Sequence, residues 1–227
     1  MVAAFRDAFQ RESRLTHCSG HGFPNPALSG TIPPMWAEPL QQIRRTRVRQ
    51  GKRELIYFAG CDYLRLASDP RVIRAVEKTL REWGLNVAAS RKTTGNHRLY
   101  EQLEKDTARF FAAEQALLVS NGYLANLVAA QGLAGEISEA LIDERAHSSL
   151  QDAARLLAAK VRSFAHRSPL ALDKELKRIR GSARVAILTD GMFAHDGSIA
   201  PLPDYRRLAP SALLWVDDSH AAGIVGP

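Results

Sequence analysis

The chain has 227 residues, 45% of them hydrophobic, and a formal net charge of +7. It is long enough to bury a substantial core, and no apolar run approaches the roughly 18 residues that a transmembrane helix needs. The N-terminus lacks the apolar region of a secretory signal. Cys18 and Cys61 are too few for a disulfide framework and form no metal-binding pattern, so we expect a cytoplasmic protein without a metal site.

One basic segment raises the question of nucleic acid. Six cationic residues lie between Arg44 and Arg53, but no aromatic side chains alternate with them, as they commonly do in a nucleic-acid-binding surface. We therefore favour a solvated connector or a funnel for anionic substrates, and expect no nucleic-acid or membrane partner. Glycines and prolines between Gly20 and Pro34 predict an irregular arm, so residues 1–55 are predicted to be an N-terminal arm and segment.

The next hundred residues contain two clear helix patterns. We predict a short strand at 55–58, then a helix with Pro70 at its first position and Ser68 or Asp69 as its N-cap. Gly84 ends this helix, and a polar loop follows over 85–98. Leu99, Leu103 and Phe110 share one face of a second predicted helix.

From residue 116 the pattern alternates regularly between strand and helix. Strands are predicted at 116–120, 140–143, 161–164, 185–189 and 212–216, and helices at 121–133, 148–159, 169–179 and 203–209. Ser148 and Ser168 are the expected caps of two of these helices. Repeated strand–helix units predict an α/β fold with a mostly parallel sheet between two helical layers. We assign residues 56–227 to this one domain.

Chemistry-bearing residues follow the last strand, where Asp217 and His220 end an apolar run. Ligands of parallel α/β sheets bind beyond the carboxyl ends of the strands, which places both side chains where a ligand is expected. A buried carboxylate needs a cationic partner to stay ionised. A protonated ring nitrogen on a cofactor would supply that partner.

Three earlier strand ends carry candidates that each have a plainer explanation. Gly122 and Tyr123 open a helix, where backbone N–H groups suit a phosphate, although Ser120 and Asn121 are also common caps. His147 is either an ordinary turn histidine or a flat ring that stacks on a ligand. Asp190 begins a stretch with two glycines that is either a shaped loop or a plain turn.

Six blocks together resemble the α-oxoamine synthase family of fold-type I pyridoxal-phosphate (PLP) enzymes. In chain order they are Asp62-Tyr63-Leu64, Thr94-Gly95-Asn96-His97, Ser120-x-Gly122-Tyr123-x-x-Asn126, His147-x-Ser149, Thr189-Asp190-Gly191 and Asp217-Asp218-Ser219-His220. The order and spacing of all six blocks make this resemblance more specific than any single block. Cys61, Arg65 and Ala194 depart from the residues that the family usually has.

The resemblance implies a role for each candidate residue. Asp217 would pair with the pyridinium nitrogen of PLP, and His220 would hydrogen-bond its phenolate oxygen. His147 would stack over the ring and face the substrate, which makes His147, Asp217 and His220 the expected catalytic residues. Gly122 and Tyr123 would receive the phosphate, and Asp190 would lie beside the cofactor.

The activity implied by the resemblance is condensation of an amino acid with an acyl-CoA to give an α-oxoamine, as in the 8-amino-7-oxononanoate synthases of biotin biosynthesis. The partner expected for the full-length protein is a second copy, forming a homodimer. The family's PLP-binding lysine lies beyond the Asp217-x-x-His220 segment, so we expect this chain to be an N-terminal fragment that is inactive alone. The alternative is a non-catalytic partner subunit of a serine palmitoyltransferase-like heterodimer.

Overall fold

The computed structural model describes residues 38–225, and these contain seven strands and six helices. The strands are β1 (Leu40–Arg44), β2 (Arg47–Gln50), β3 (Arg53–Ile56), β4 (Glu139–Asp143), β5 (Lys160–Phe164), β6 (Val185–Asp190) and β7 (Leu213–Asp217). The helices are α1 (Pro70–Trp83), α2 (Arg98–Phe110), α3 (Gly122–Gly132), α4 (Ser148–Leu157), α5 (Pro169–Leu176) and α6 (Leu202–Leu208). The chain divides into two compact units: one holds most of the β1–β3 sheet and the other the residues from Tyr57 onward. The predicted Gly/Pro-rich arm lies outside the described residues.

The basic segment forms a small sheet, which the sequence analysis did not predict, although its six cationic residues are all exposed as a solvated segment requires. Strands β1, β2 and β3 are adjacent in that order, and β2 pairs antiparallel with β3. Val48 is buried while its neighbours Arg47 and Arg49 are exposed, which is the alternation of a strand with one covered face. A single apolar position among arginines is too weak a signal to predict β2, and β3 begins two residues earlier than predicted.

The parallel sheet lies in the second unit and has the strand order β5-β4-β6-β7. All five residues of β4 are buried, as expected for a strand that is covered on both faces. Ala140, Ile142 and Leu188 face a core built with α3 and α4, whereas Leu141 and Ile187 face a second core built with α5 and α6. The three-layer α/β/α prediction is therefore confirmed.

The helix starts follow from their caps. Asp69, Asn121 and Ser168 each accept a hydrogen bond from a backbone N–H in the first turn of α1, α3 and α5. The predicted cap at Ser148 was wrong, because His147 is the N-cap of α4 and its Nδ1 accepts from the amide of Ser149. Histidine is an uncommon N-cap, and the prediction chose the neighbouring Ser148 because serine is a common one.

The predicted strand at 116–120 was also wrong. These residues pair with no strand in the part of the chain that the structure describes, and Leu117 is 72% exposed. The amide of Leu118 instead donates to the carboxylate of Glu104 at 2.8 Å. An apolar run alone therefore did not suffice to form a strand, because a strand needs a neighbour that satisfies its backbone groups.

Two leucines on α5 provide a matched test of this core. Leu172 is fully buried against β5 and β6, whereas Leu170 is 80% exposed. Leu172→Ala should lower the free energy of unfolding by about 2–5 kcal/mol, because it leaves a cavity. Leu170→Ala should change it by less than about 0.5 kcal/mol in the same urea titration. Equal effects of the two substitutions would contradict this packing of α5 on the sheet.

Candidate active site

A cavity of about 330 Å³ lies at the carboxyl ends of β4, β6 and β7. Its size falls in the range typical of small-molecule sites. All six residues predicted from the sequence contribute to its lining: Gly122, Tyr123, His147, Asp190, Asp217 and His220. Seven further residues complete the lining: Arg145, Ser149, Phe193, Ala194, His195, Asp196 and Ser219. The structure thus brings the six together, while their roles toward a cofactor stay predictions.

Asp217 is the most strongly hydrogen-bonded acid of the cavity. Its Oδ1 accepts from the hydroxyl of Ser219 at 2.6 Å and from the Ser219 amide at 3.1 Å, and its Oδ2 accepts from Nδ2 of Asn126 at 2.7 Å. Burial by itself raises the pKa of Asp217, but these hydrogen bonds outweigh it and leave that pKa below its ordinary value. Asp217 is therefore an anion at neutral pH.

A chain of hydrogen bonds connects Asp217 to His147 across the floor of the cavity. Asn126 donates both to Asp217 and to Oγ of Ser149, the latter at 3.0 Å, and it accepts from Nε1 of Trp215 at 3.1 Å. Ser149 Oγ lies 2.7 Å from Nδ1 of His147. Asn126 and Ser149 are both buried, so their polar groups need these partners. The network fixes the two predicted catalytic residues relative to each other.

Asp190 is a second acid in the cavity, and it behaves in the opposite way. Burial, together with the charges of Asp217 and Asp143, raises its pKa to about 6, against a lowering effect of the hydrogen bond from the His147 amide at 3.0 Å. Burial and the charge of Asp217 also raise the pKa of Asp218. The cavity therefore concentrates acidic groups around one strongly stabilised anion.

Helix α3 presents its N-terminus to the same cavity. Asn121 caps the helix by accepting from the amide of Leu124 at 2.9 Å, which leaves amides of the first turn without an intrahelical partner. A Cβ at Gly122 would lie 3.9 Å from Ser219 Oγ, an ordinary van der Waals distance, so the start of the helix lies next to the segment that follows β7. The hydroxyl of Tyr123 donates to Asp152, and its ring meets the edge of the His147 ring.

The loop after β6 is held by a group of side chains outside the cavity. Asp143, fully buried at the end of β4, pairs with Nδ1 of His166 at 3.0 Å and accepts from the Arg145 and Arg167 amides. The His166 ring packs edge-on against Phe193, and its Nε2 lies 3.3 Å from Ser198 Oγ. These contacts fix the loop that carries Ala194 and His195.

The contacts that organise the site could not be identified from the sequence, although Asn126 and Ser149 lie in two of the blocks that carry the family resemblance. Asn126 and Ser149 lie on helices that were predicted correctly, but nothing local shows that Asn126 reaches a carboxylate 91 positions away. Asp143 offered one usable signal, because a carboxylate at the end of a buried strand needs donors. Its partner His166, 23 positions further on, could not be identified from that signal.

The comparisons with known proteins agree with one another. A sequence model of the family described as aminotransferase class I and II matches residues 53–227. The 8-amino-7-oxononanoate synthase of Hahella chejuensis is 40% identical over 182 residues, covering 79% of this chain and 46% of the relative. That of Thioalkalivibrio sulfidiphilus is 39% identical over 194 residues, covering 81% and 50%. The chain thus spans about half the length of the curated relatives it matches.

Solved structures give the same picture. The serine palmitoyltransferase of Sphingomonas wittichii has a TM-score of 0.73 at 25% identity, covering 95% of this chain and 50% of its own. A serine palmitoyltransferase structure with PLP has a TM-score of 0.77 at 28% identity, and the match covers 82% of this chain and 48% of that structure's chain. The 8-amino-7-oxononanoate synthase of Francisella tularensis has a TM-score of 0.55 at 26% identity, covering 70% and 43%. Within residues 38–225, no helix combines the length and apolarity of a membrane span.

The buried network predicts a cost for removing Asn126. Asn126→Ala leaves Asp217, Ser149 and Trp215 each without one partner, so the free energy of unfolding should fall by at least about 1–3 kcal/mol. Gln102→Ala removes an exposed amide that donates to Asp106 and should cost less than about 0.5 kcal/mol. Urea titrations of both variants at neutral pH measure the difference. A neutral Asn126→Ala would show that the network does not stabilise the fold.

The raised pKa of Asp190 predicts a pH-dependent stability in the cofactor-free protein. Its folded-state pKa of about 6 exceeds the ordinary 3.8, so the folded protein binds this proton more tightly than the unfolded chain does. The protein therefore loses stability as the pH rises from 3.8 to about 6. Asp190→Asn should therefore become more stable relative to the parent as pH rises through 6, with the difference vanishing below 3.8. Urea titrations of both proteins between pH 4 and pH 7 measure the difference, and a difference that does not change with pH would contradict the raised pKa of Asp190.

Proposed function

The chain belongs to the aminotransferase class I and II family and, within it, to the α-oxoamine synthases; from this premise we propose that its cavity binds pyridoxal 5′-phosphate. The observation that carries the proposal is Asp217, a carboxylate held ionised in a partly buried cavity. Such a charge is suited to a cation inside the cavity, and the pyridinium nitrogen of PLP is one.

The other residues of the cavity fit the remaining parts of the cofactor. The N-terminus of α3 at Gly122 and Tyr123 offers backbone amides and a positive dipole end to a phosphate. The imidazole of His147 lines the cavity and is fixed through Ser149, which suits a ring that covers a flat aromatic ligand. His220 follows Asp217 in the same lining and can meet an oxygen on the ring.

The chemistry of the site divides between the cofactor and the protein. When bound, PLP supplies an electron sink that stabilises negative charge at the carbon next to a substrate amino group. Asp217 would keep the ring nitrogen protonated, and this would make that sink effective. Asp190, whose pKa is near 6, lies beside Asp217 and can be neutral or charged near physiological pH. His147, which lines the cavity, would hold the ring in place on the side of the substrate.

We propose that the full-length protein condenses an amino acid with an acyl-CoA to give an α-oxoamine, in the manner of the 8-amino-7-oxononanoate synthases. The support is the likeness to enzymes of that name at about 40% identity. Arg145 lines the cavity, and its Nη1 lies 3.6 Å from Oδ2 of Asp196. Its positive charge and the net charge of +7 suit the phosphates of CoA. We further propose that the full-length protein is a cytoplasmic homodimer.

The lysines of the chain bear on how the cofactor is attached. None of them lines the cavity, although all lie in the described part of the chain: Lys52, Lys78, Lys92, Lys105, Lys160, Lys174 and Lys177. We propose that covalent attachment of PLP uses an amine other than these, so that residues 38–225 hold the cofactor non-covalently and do not turn over alone. This observation also supports the second candidate, a non-catalytic partner subunit.

Cofactor binding by the full-length gene product tests the proposal directly. We expect PLP to bind with a visible absorbance band, and Asp217→Asn to weaken binding at least about 30-fold, because it removes the charge that pairs with the ring nitrogen. Asp106→Asn, on the exposed face of α2, should leave affinity unchanged. A parent protein that binds no PLP would refute the proposed function.

Release of CoA distinguishes the two candidates. An enzyme should release free thiol from an acyl-CoA when the correct amino acid is added, and reduction with borohydride should fix PLP to a lysine outside the seven named above. A partner subunit should bind PLP, release no thiol and retain no cofactor after reduction. Fixation to one of the seven would contradict the proposed mode of attachment.

A further inference from the structure

The Asp62-Tyr63-Leu64 block makes none of the proposed cofactor contacts, yet it reaches a residue of the cavity. The hydroxyl of Tyr63 lies 2.7 Å from Nδ1 of His220, a residue 157 positions further along the chain. The two rings meet edge to face, with centroids 6.1 Å apart and planes at 64°. Tyr63 does not itself line the cavity, but its hydroxyl contacts a residue that does.

The turn that carries Tyr63 is fixed on both sides of it. Oδ1 of Asp62 accepts from the amide of Leu66 at 2.7 Å, and the amide of Arg65 donates to the carbonyl of Asp62 at 3.0 Å. The Arg65 guanidinium donates to the carbonyl of Tyr57 and lies over the Tyr57 ring, 4.9 Å from its centroid. These contacts hold the backbone of Tyr63 in place, although its side chain is 44% exposed.

The backbone of His220 is fixed by a second turn, which leaves the ring to be set by other contacts. The amides of Ala221 and Ala222 donate to the carbonyl of Asp218 at 3.1 and 2.9 Å. These bonds fix the position of the His220 Cα but not the rotation of its imidazole or the location of its proton. The Tyr63 hydroxyl is the contact that acts on the ring nitrogen Nδ1.

We propose that Tyr63 is a positioning residue that sets the tautomer of His220. Its hydroxyl donates to Nδ1, so the proton of the neutral ring is on Nε2, and this N–H is the donor available to the cavity. The inference rests on the proposed function, because a cofactor phenolate needs a donor from His220. The opposite arrangement, with Nδ1 donating to Tyr63, would turn a lone pair of Nε2 toward an anionic oxygen, which repels it.

The experiment uses the full-length gene product with ¹⁵N-labelled histidine. The two ring nitrogens of a neutral histidine have different ¹⁵N shifts, and His220→Asn identifies the signals of His220. The parent should carry the proton on Nε2. Tyr63→Phe keeps the ring but removes the hydroxyl, so it should shift His220 toward a mixture of tautomers. Tyr57→Phe removes the hydroxyl of a nearby tyrosine that makes no contact with His220. It should leave the His220 tautomer unchanged.

Cofactor affinity supplies the second readout. Tyr63→Phe should raise the dissociation constant of PLP about fivefold, the effect of one misdirected hydrogen bond, while Tyr57→Phe should leave it unchanged. A parent His220 protonated on Nδ1, or a tautomer that Tyr63→Phe does not alter, would overturn the inference. Failure of the parent to bind PLP would refute the proposed function instead, since the tautomer measurement does not depend on the cofactor.

Discussion

The site depends on keeping one half-buried carboxylate ionised. Asp217 ends β7 beside Asp190 in the adjacent strand β6, so the register of the sheet brings two acids together. Asn126 and Ser219 donate to Asp217 and keep it an anion. Burial, together with the charge of Asp217, shifts Asp190 toward its neutral form.

That electrostatic arrangement explains why the surrounding helices must be where they are. Asn126 lies one turn into α3 and Ser149 at the start of α4, and both helices pack on the face of the sheet that carries Ala140 and Ile142. The same packing that buries these apolar residues delivers an amide to Asp217 and a hydroxyl to His147. The packing of α3 and α4 on the sheet therefore both builds the core and positions the polar groups of the site.

Much of the fold could be predicted from the sequence, because local signals were strong. The Asp69-Pro70 and Ser168-Pro169 pairs marked helix starts, and the apolar run before Asp217 marked a buried strand. Strands β1 and β2 were missed because polar and charged side chains make up most of them. The strand at 116–120 was assigned wrongly because its apolar run has no neighbouring strand among the described residues. His147, Asp190, Asp217 and His220 lie at or after strand ends, which predicted their place in the cavity, whereas Gly122 and Tyr123 are there because they begin α3. The bonds from Asn126 and Tyr63 span the fold and leave no local signature.

The most direct test of an ionised Asp217 is the titration of its carboxyl in the cofactor-free protein, followed by ¹³C NMR of the side chain. We expect a pKa below the ordinary 3.8, since the donors to this carboxylate outweigh its burial. A pKa at or above 3.8 would show that these donors do not outweigh the burial. An Asp217 that stays protonated at neutral pH would contradict the proposed basis of cofactor binding, because the carboxyl facing the cationic ring would then carry no charge.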